Sequence, residues 1–352
     1  MSKKAVFLII ILGVMLALGG CASSDEGKEV ITPQEKMITV GFSQLGAESD
    51  WRVANTESLK NSLSIDNNYI LVFDDAQQKQ DRQIIAIRKF IQQEVDCIVL
   101  APVMEEGWDT VLTEAQNAGI PVIVVDRRVN VSDPSLYTAW VGSDFDREGK
   151  IACEWLNKYI EKKGISGDEL NILGIQGTLG ATAQIGRTNA LLRSSKEYGW
   201  NIVEMVPADY AQTKAKEVMQ QMLRKYSDIN VVYCENDNEA IGAIEAIEEA
   251  GRTVGTDITA GEIMIISFDA ARSGLEKVLE GKIALDVECN PLQGNEVDKI
   301  IKNVMAGKEF SKNTYVEERV FSADDTVQGL IIDNKAYSIT KLTNEVLAGR
   351  EY

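Results

Sequence analysis

Residues 97–127 read CIVLAPVMEEGWDTVLTEAQNAGIPVIVVDR. An apolar run, Cys97–Leu100, is followed by a stretch with helical spacing of apolar residues, Trp108–Ala118, and then by a second apolar run, Pro121–Val125. Runs this short and this free of polar residues fit strands buried on both faces, and the amphipathic stretch between them fits a helix that covers the sheet. The same rhythm extends outward in both directions. Met37–Ser43, Arg52–Leu63, Tyr69–Phe73 and Gln80–Gln93 alternate strand and helix on the N-terminal side. Leu170–Ile175, Ala181–Tyr198, Ile202–Val206, Ala211–Tyr226, Val231–Tyr233, Glu239–Glu249 and Glu262–Phe268 resume the alternation further on. The pattern predicts an α/β protein with parallel sheets covered on both sides. The 352 residues exceed the ~150 of an average domain, so two doubly wound lobes are expected instead of one very large sheet.

Composition removes several function classes. Hydrophobic residues make up 45% and charged residues 26%, an ordinary globular balance. Asp and Glu outnumber Lys and Arg by 54 to 36, for a formal charge of −18. That argues against a nucleic-acid partner, which requires clustered cations. The chain has no histidine, so His-based triads, the usual zinc ligands and the commonest general base are absent.

The first residues read as an address. Lys3 and Lys4 precede the uncharged apolar run Ala5–Leu18, which ends in Leu18-Gly19-Gly20-Cys21. The run is shorter than the ~20 residues of a spanning helix. The order of charge, apolar run, small residues and cysteine resembles a bacterial lipobox, with residues 1–20 removed and Cys21 acylated. Residues 21–36, polar apart from a few positions, then act as a tether. The expected location is the extracytoplasmic face of the cell membrane, with the N-terminal lipid as the only membrane contact. Cys97, Cys153, Cys234 and Cys289 are widely spaced, with no C-x-x-C. Metal and redox roles are not expected of them, and disulfide pairing is left open.

In open parallel sheets, ligands bind beyond the carboxyl ends of the strands. Read at those ends, the sequence presents Gln44, Glu48, Trp51 and Arg52, then Asp74-Asp75, Asp126-Arg127, Asn236-Asp237 and Asp269, with Arg187 in the helix after Ile175. Carboxylates accept hydrogen bonds, Arg donates in a planar fork and Asn does both, while an indole covers C–H faces. A neutral polyol such as a sugar fits this mixture better than a metal or a phosphate. Each residue also has a duller reading: helix capping for Asn236, Asp237 and Asp269, a local turn for Asp126, a solvated acid for Glu48, a core anchor for Trp51, a surface arginine for Arg187. Gly174, Gly177 and Gly180 are spaced G-x-x-G-x-x-G, which is not a dinucleotide fingerprint, and read as a turn that permits close packing. Paired acids raise glycoside hydrolysis as an alternative, but Arg127 beside Asp126 is expected to hold that acid ionised, which suits an acceptor and not a general acid.

The stretches VGFSQLGAESDWR, DAQQKQDRQ, PVIVVDRR, QGTLGATAQIGR, ENDNEAIGAIEAIEEAG, SFDA and GKIALDVECNP resemble the periplasmic sugar-binding proteins of ABC transporters, in the ribose- and galactose-binding class, and within it the galactofuranose-binding branch. The resemblance implies two Rossmann-like lobes joined by a three-crossover hinge, the type I arrangement, closing over one monosaccharide. It places sugar contacts at Glu48, Trp51, Arg52, Asp126 and Arg127 from one lobe and at Arg187, Asn236 and Asp269 from the other, with Glu288 as a weaker addition on the hinge strand. The expected lobes are 37–142 with 289–312, and 143–288 with 313–352. Thr314–Val320 is expected as a strand of the second lobe, and the rest as a surface segment. The resemblance further implies a monomer that delivers sugar to ABC permease subunits, without enzyme activity, cofactor or metal. A membrane sensor using the same cleft and an extracellular carbohydrate-active enzyme are the alternatives, and a sugar-responsive repressor core conflicts with the leader.

Overall fold

The apolar runs form strands that are buried along their length, as in Cys97–Leu100 and Val122–Val125, where every residue is inaccessible. The computed structural model describes residues 36–352, and the leader, Cys21 and the tether to residue 35 lie outside the described residues. The first lobe contains β1 (Ile38–Gln44), α1 (Asp50–Ser62), β2 (Tyr69–Asp75), α2 (Gln80–Gln92), β3 (Cys97–Leu100), α3 (Asp109–Asn117), β4 (Val122–Val125) and β5 (Ala139–Gly142). The chain then crosses into the second lobe. There it forms α4 (Phe145–Lys163), β6 (Asn171–Gln176), α5 (Thr182–Tyr198), β7 (Asn201–Pro207), α6 (Gln212–Lys225), β8 (Val231–Cys234), α7 (Asp237–Glu249), β9 (Met264–Asp269), α8 (Arg272–Leu279) and β10 (Leu285–Glu288). It returns for α9 (Gly294–Met305) and β11 (Asn313–Tyr315). A third crossing leads to β12 (Val320–Ser322), β13 (Gly329–Ile332), β14 (Lys335–Lys341) and α10 (Asn344–Ala348).

The first sheet runs β11-β5-β4-β3-β1-β2 and the second β13-β14-β12-β10-β9-β8-β6-β7. The order β2-β1-β3-β4-β5 in one lobe recurs as β7-β6-β8-β9-β10 in the other, all of it parallel. This is a doubly wound order in both lobes. Each sheet carries apolar clusters on both faces, one built around Val40, Phe42 and Val99, another around Ile98, Leu100 and Trp108 in the first lobe. α9 returns to pack on α1, where Ser58 Oγ accepts from the Gly294 amide at 3.0 Å.

The expectation of a single second-lobe strand over Thr314–Val320 is not met. Asn313–Tyr315 pairs in parallel with β5 in the first sheet, and Val320–Ser322 pairs antiparallel with β10 in the second. Each half thus covers an otherwise open sheet edge, and the crossing falls between them. Nor are the residues that follow a surface segment. Leu330 and Ile332 alternate with exposed neighbours, and with Val327 and Ile339 they join the core of the second lobe. Asp333 and Asn334, at φ 51° and 63°, turn this hairpin through the left-handed region that two-residue loops require. Cys97, Cys153, Cys234 and Cys289 are buried free thiols. Among the described residues no helix is long and apolar enough to cross a membrane.

Candidate functional site

Repetition of the strand order places like residues at like positions. Asp126 directly follows β4 and Asp269 ends β9, the fourth strand of each lobe, while Arg52 lies on α1 and Arg187 on α5, the helix after the first strand of each. Both aspartates sit at positive φ, 60° and 102°, where a non-glycine residue costs of order 1–3 kcal/mol and persists because its surroundings hold it. Within each lobe the arginine pairs with the aspartate: Arg52 Nη2 to Asp126 Oδ2 at 2.6 Å, and Arg187 Nη2 to Asp269 Oδ1 at 3.6 Å. α1 begins at the N-cap Ser49, whose hydroxyl accepts from the Arg52 amide at 3.2 Å, and its first turn aims Trp51 and Arg52 inward.

Glu48, Trp51, Arg52, Asp126, Arg127, Arg187, Asn236 and Asp269 all line one cavity between the lobes, together with Ser49, Phe145, Ala183, Tyr210 and Cys289. Three carboxylates thus meet three guanidinium groups, as burial of charge demands. Glu48 Oε1 accepts from Arg52 Nε at 3.1 Å and lies 3.5 Å from Arg127 Nη2. Burial opposes the Arg52 charge, but Asp126 and Glu48 outweigh it and raise its pKa. Burial pushes the Asp269 carboxyl well above its ordinary range, with Arg187 pulling it back. Trp51, Phe145, Tyr210, Ala181, Ala183 and Cys289 form an apolar cluster that spans both lobes around these charges. The Trp51 indole N–H donates to the Cys289 carbonyl. Two buried polar atoms of the lining, Glu48 Oε2 and the Tyr210 hydroxyl, have no protein partner.

Several roles differ from expectation. Asp126 is paired with Arg52 and not with its neighbour Arg127, which donates to the Val103 carbonyl at 2.7 Å. The left-handed turn at Asp126 sends the two side chains apart. Asn236 does cap α7, accepting from the Glu239 amide at 2.8 Å, yet it also lines the cavity. Asp269 caps nothing, because the N-cap of α8 is Ala271 without a side-chain bond. Asp237 accepts from Ser267 Oγ at 2.6 Å and the Ala271 amide at 2.8 Å, and so ties β9 to α8. Gln44 bonds Asn55 and Thr56 inside the first lobe. Asp75 closes a turn by accepting from the Gln77 amide, and neither it nor Asp74 reaches the cavity. Glu288 also faces away, held by Arg350, Tyr352 and the Arg319 amide.

Phe145, Tyr210 and Cys289 are lining residues that the strand-end reading passes over. Tyr210 follows β7, so the rule that selected Asp126 and Asp269 also reaches it. Gly177 explains the glycine spacing: a Cβ there would lie 1.9 Å from the Tyr210 ring, so only glycine admits that ring to the cavity wall. Behind the lining, Arg187 Nε donates to Glu148 Oε2 at 2.8 Å and its Nη1 to the Glu235 carbonyl. Glu148, Cys289 and Glu318 bring potential metal-ligand atoms within 4.8 Å of one another. The Arg187 guanidinium, 2.7 Å from Glu148, already neutralises that acid and opposes a cation there.

The lobes touch around the cavity. The Glu105 amide donates to the Gly180 carbonyl at 3.1 Å, the Asp50 amide to Asn238 Oδ1 at 3.1 Å, and Ser273 Oγ to Asp50 Oδ2 at 2.8 Å. The cleft is closed.

Residues 40–309 match the periplasmic binding protein domain family. The chain is 36% identical to the galactofuranose-binding protein YtfQ of Escherichia coli, over 83% of this chain and 90% of that one. Among solved structures, a Mycobacterium smegmatis protein in complex with β-D-fucofuranose superposes with a TM-score of 0.77 at 39% identity, covering 82% of this chain and 92% of that one. The periplasmic binding protein component of the arabinose ABC transporter from Shewanella sp. ANA-3, bound to α- and β-L-arabinofuranose, superposes with a TM-score of 0.75 at 37% identity, covering 82% and 93%.

Proposed function

Because the chain belongs to the periplasmic binding protein family, we propose that it captures a monosaccharide in furanose form in the interlobe cavity and hands it to the permease of an ABC importer. The relatives are sugar-binding transport proteins and not enzymes, and this chain is a binding protein of that kind. The carrying observation is the convergence of one Arg–Asp pair from each lobe on a single cavity that also holds two unpartnered polar atoms. Sugar hydroxyls both donate and accept, so they satisfy carboxylate and guanidinium groups together, and Trp51 and Phe145 supply apolar wall. Support for the furanose form comes from relatives whose bound sugars are fucofuranose and arabinofuranose.

Melting curves with D-galactose, D-fucose, L-arabinose, D-fructose and D-ribose test the reading. A sugar present at a hundred times its Kd stabilises by about 2.7 kcal/mol, and 13C NMR of the labelled bound sugar reads its ring form. No shift with any of them at millimolar concentration sinks the proposal. The lipid anchor on Cys21 belongs to the same reading: a binding protein tethered by residues 22–36 stays beside its permease as a monomer. Cys21→Ala should move the protein from the membrane to the soluble fraction, and continued membrane partition of that variant rejects the anchor.

A further inference from the structure

The turn after β9 carries Asp269 and Ala270 at φ 102° and 52°, two consecutive residues in conformations that L side chains avoid. Something must hold them there. The Ala270 amide donates to Asp286 Oδ1 at 3.0 Å, and the Ala271 amide to Asp237 Oδ2 at 2.8 Å. These two bonds fix the donor side of the turn from within the second lobe. The acceptor side is held from a distant part of the chain: Arg350 Nη2 donates to the Ala270 carbonyl at 2.9 Å.

Arg350 is itself anchored on several sides and is nearly inaccessible, at 6% exposure. Its Nη1 meets Glu288 Oε1 at 2.5 Å, and Glu288 stands opposite Asp269 in the register of β10 on β9. The same Glu288 oxygen accepts from the Tyr352 hydroxyl at 2.6 Å, and the other oxygen from the Arg319 amide at 2.6 Å on the third crossing. Arg272 Nη2, at the start of α8, donates to the Arg350 carbonyl at 3.0 Å. The Arg350 guanidinium also lies 5.2 Å from the Phe321 ring centroid and 4.4 Å from that of Tyr352. One planar fork thus links the strained turn to the hinge strand β10, and that strand leads directly into the crossing at Cys289.

We propose that Arg350 is a positioning residue for ligand binding: by holding the Ala270 carbonyl it keeps Asp269 turned toward Arg187 and the cavity, without touching ligand itself. The inference rests on the reading of Asp269 as a sugar contact. Its force comes from geometry. A turn with two left-handed residues relaxes once one of its anchors is gone, and a carboxylate misplaced by even an ångström loses the alignment on which a short hydrogen bond depends.

The test uses the full chain with D-galactose and L-arabinose as probes, titrated calorimetrically, together with hydrogen exchange over Met264–Arg272. Four variants are compared: Asp269→Asn, Arg350→Ala, Glu288→Gln, and Arg350→Ala with Glu288→Gln. Arg350→Ala alone leaves the buried Glu288 carboxylate without its nearer cation, with only Arg319 Nε at 3.5 Å, so its instability would be ambiguous, and the double variant removes that charge. The expected result is an affinity loss of tenfold or more in both Arg350 variants, faster exchange at the Ala270 and Ala271 amides with or without sugar, and near-wild-type affinity for Glu288→Gln. Recovery of wild-type affinity in the double variant would assign the effect to the orphaned charge and overturn the proposal. Unchanged exchange over Met264–Arg272 in the Arg350 variants overturns it as well. If Asp269→Asn binds as wild type does, the reading of the site itself fails and the inference falls with it.

Discussion

Arg127 and Asp269 face the same cavity from opposite lobes, each in one ion pair and with polar capacity left over. Truncating a charged group that is buried against a bound sugar leaves its counterpart unsatisfied, a cost of about 2–5 kcal/mol, or more than tenfold in affinity. Arg127→Ala and Asp269→Ala should both show that loss by calorimetry. A helix-capping role for Asp269 would instead cost ~1 kcal/mol of stability and leave affinity intact, and α8 has no side-chain cap for it to lose. Glu235 makes a separate prediction. Its carboxylate accepts from Thr188 Oγ1 and the Gly177 amide, and burial pushes it from 4.5 up to about 8. The folded chain therefore holds a proton that the unfolded chain releases above about pH 4.5. Stability from this group is full below that value, declines as pH rises toward 8 and is flat beyond it. Glu235→Gln mimics the protonated acid, so its denaturation midpoint should fall less between pH 5 and pH 8 than the wild type's. Parallel curves for the two proteins over that range would contradict the assignment.

α4 and α5 cross so closely that a Cβ at Gly186 would lie 2.8 Å from the backbone of Phe145 and Asp146, and one at Gly149 only 2.5 Å from Ala190 Cβ. This contact places Phe145 and Arg187 side by side on the cavity wall and sets Glu148 against Arg187. Gly186→Ala must push the helices apart. Overpacking of this kind costs about 1–3 kcal/mol, and here it should also weaken sugar binding, because both lining residues ride on the displaced helices. A melt and a titration on one preparation check the coupling: lower stability with unchanged affinity would mean that the crossing does not set the site. At this scale the elements named from periodicity were legible where the pattern is local. Cys97–Leu100 and Gln80–Gln92 follow from apolar spacing alone. α4, which carries Phe145 and Glu148, and β5 before it are not among the elements that periodicity names, and the strands after Val320 declare themselves only through the sheet edge they cover.

In the closed form, three arginines and three acids are removed from water around the cavity, and the lobes are joined by backbone and side-chain bonds across the cleft. Without a ligand to complete their hydrogen bonds, buried charges favour hydration, so the empty protein should populate open forms, and sugar should shift the population toward the closed one. Small-angle scattering should record a smaller radius of gyration at saturating sugar. An unchanged radius, with binding confirmed by calorimetry, would exclude ligand-driven closure. Three chain crossings at the hinge limit that motion to bending, since all three must flex together.

The alternation of apolar runs with amphipathic stretches by itself determined the parallel sheets, and the strand-end rule then picked out Glu48, Arg52, Asp126, Arg127, Asn236 and Asp269, which line one cavity, along with Gln44, Asp74, Asp75 and Asp237, which do not, while Arg187 came from the family resemblance. Both signals are local: each depends on residues a few positions apart. Tertiary structure alone decided which charge meets which. Asp126 pairs with Arg52, 74 positions away, in preference to the adjacent Arg127, because a left-handed turn separates neighbours that the linear order puts together. It also decided that residues 313–322 divide between two sheets, that Gly177 yields its space to Tyr210, and that Arg350 reaches back 80 positions to the Ala270 carbonyl. Periodicity specifies which face of an element is buried, but the partner across that face is chosen by packing between segments far apart in the chain, and no local pattern encodes that choice.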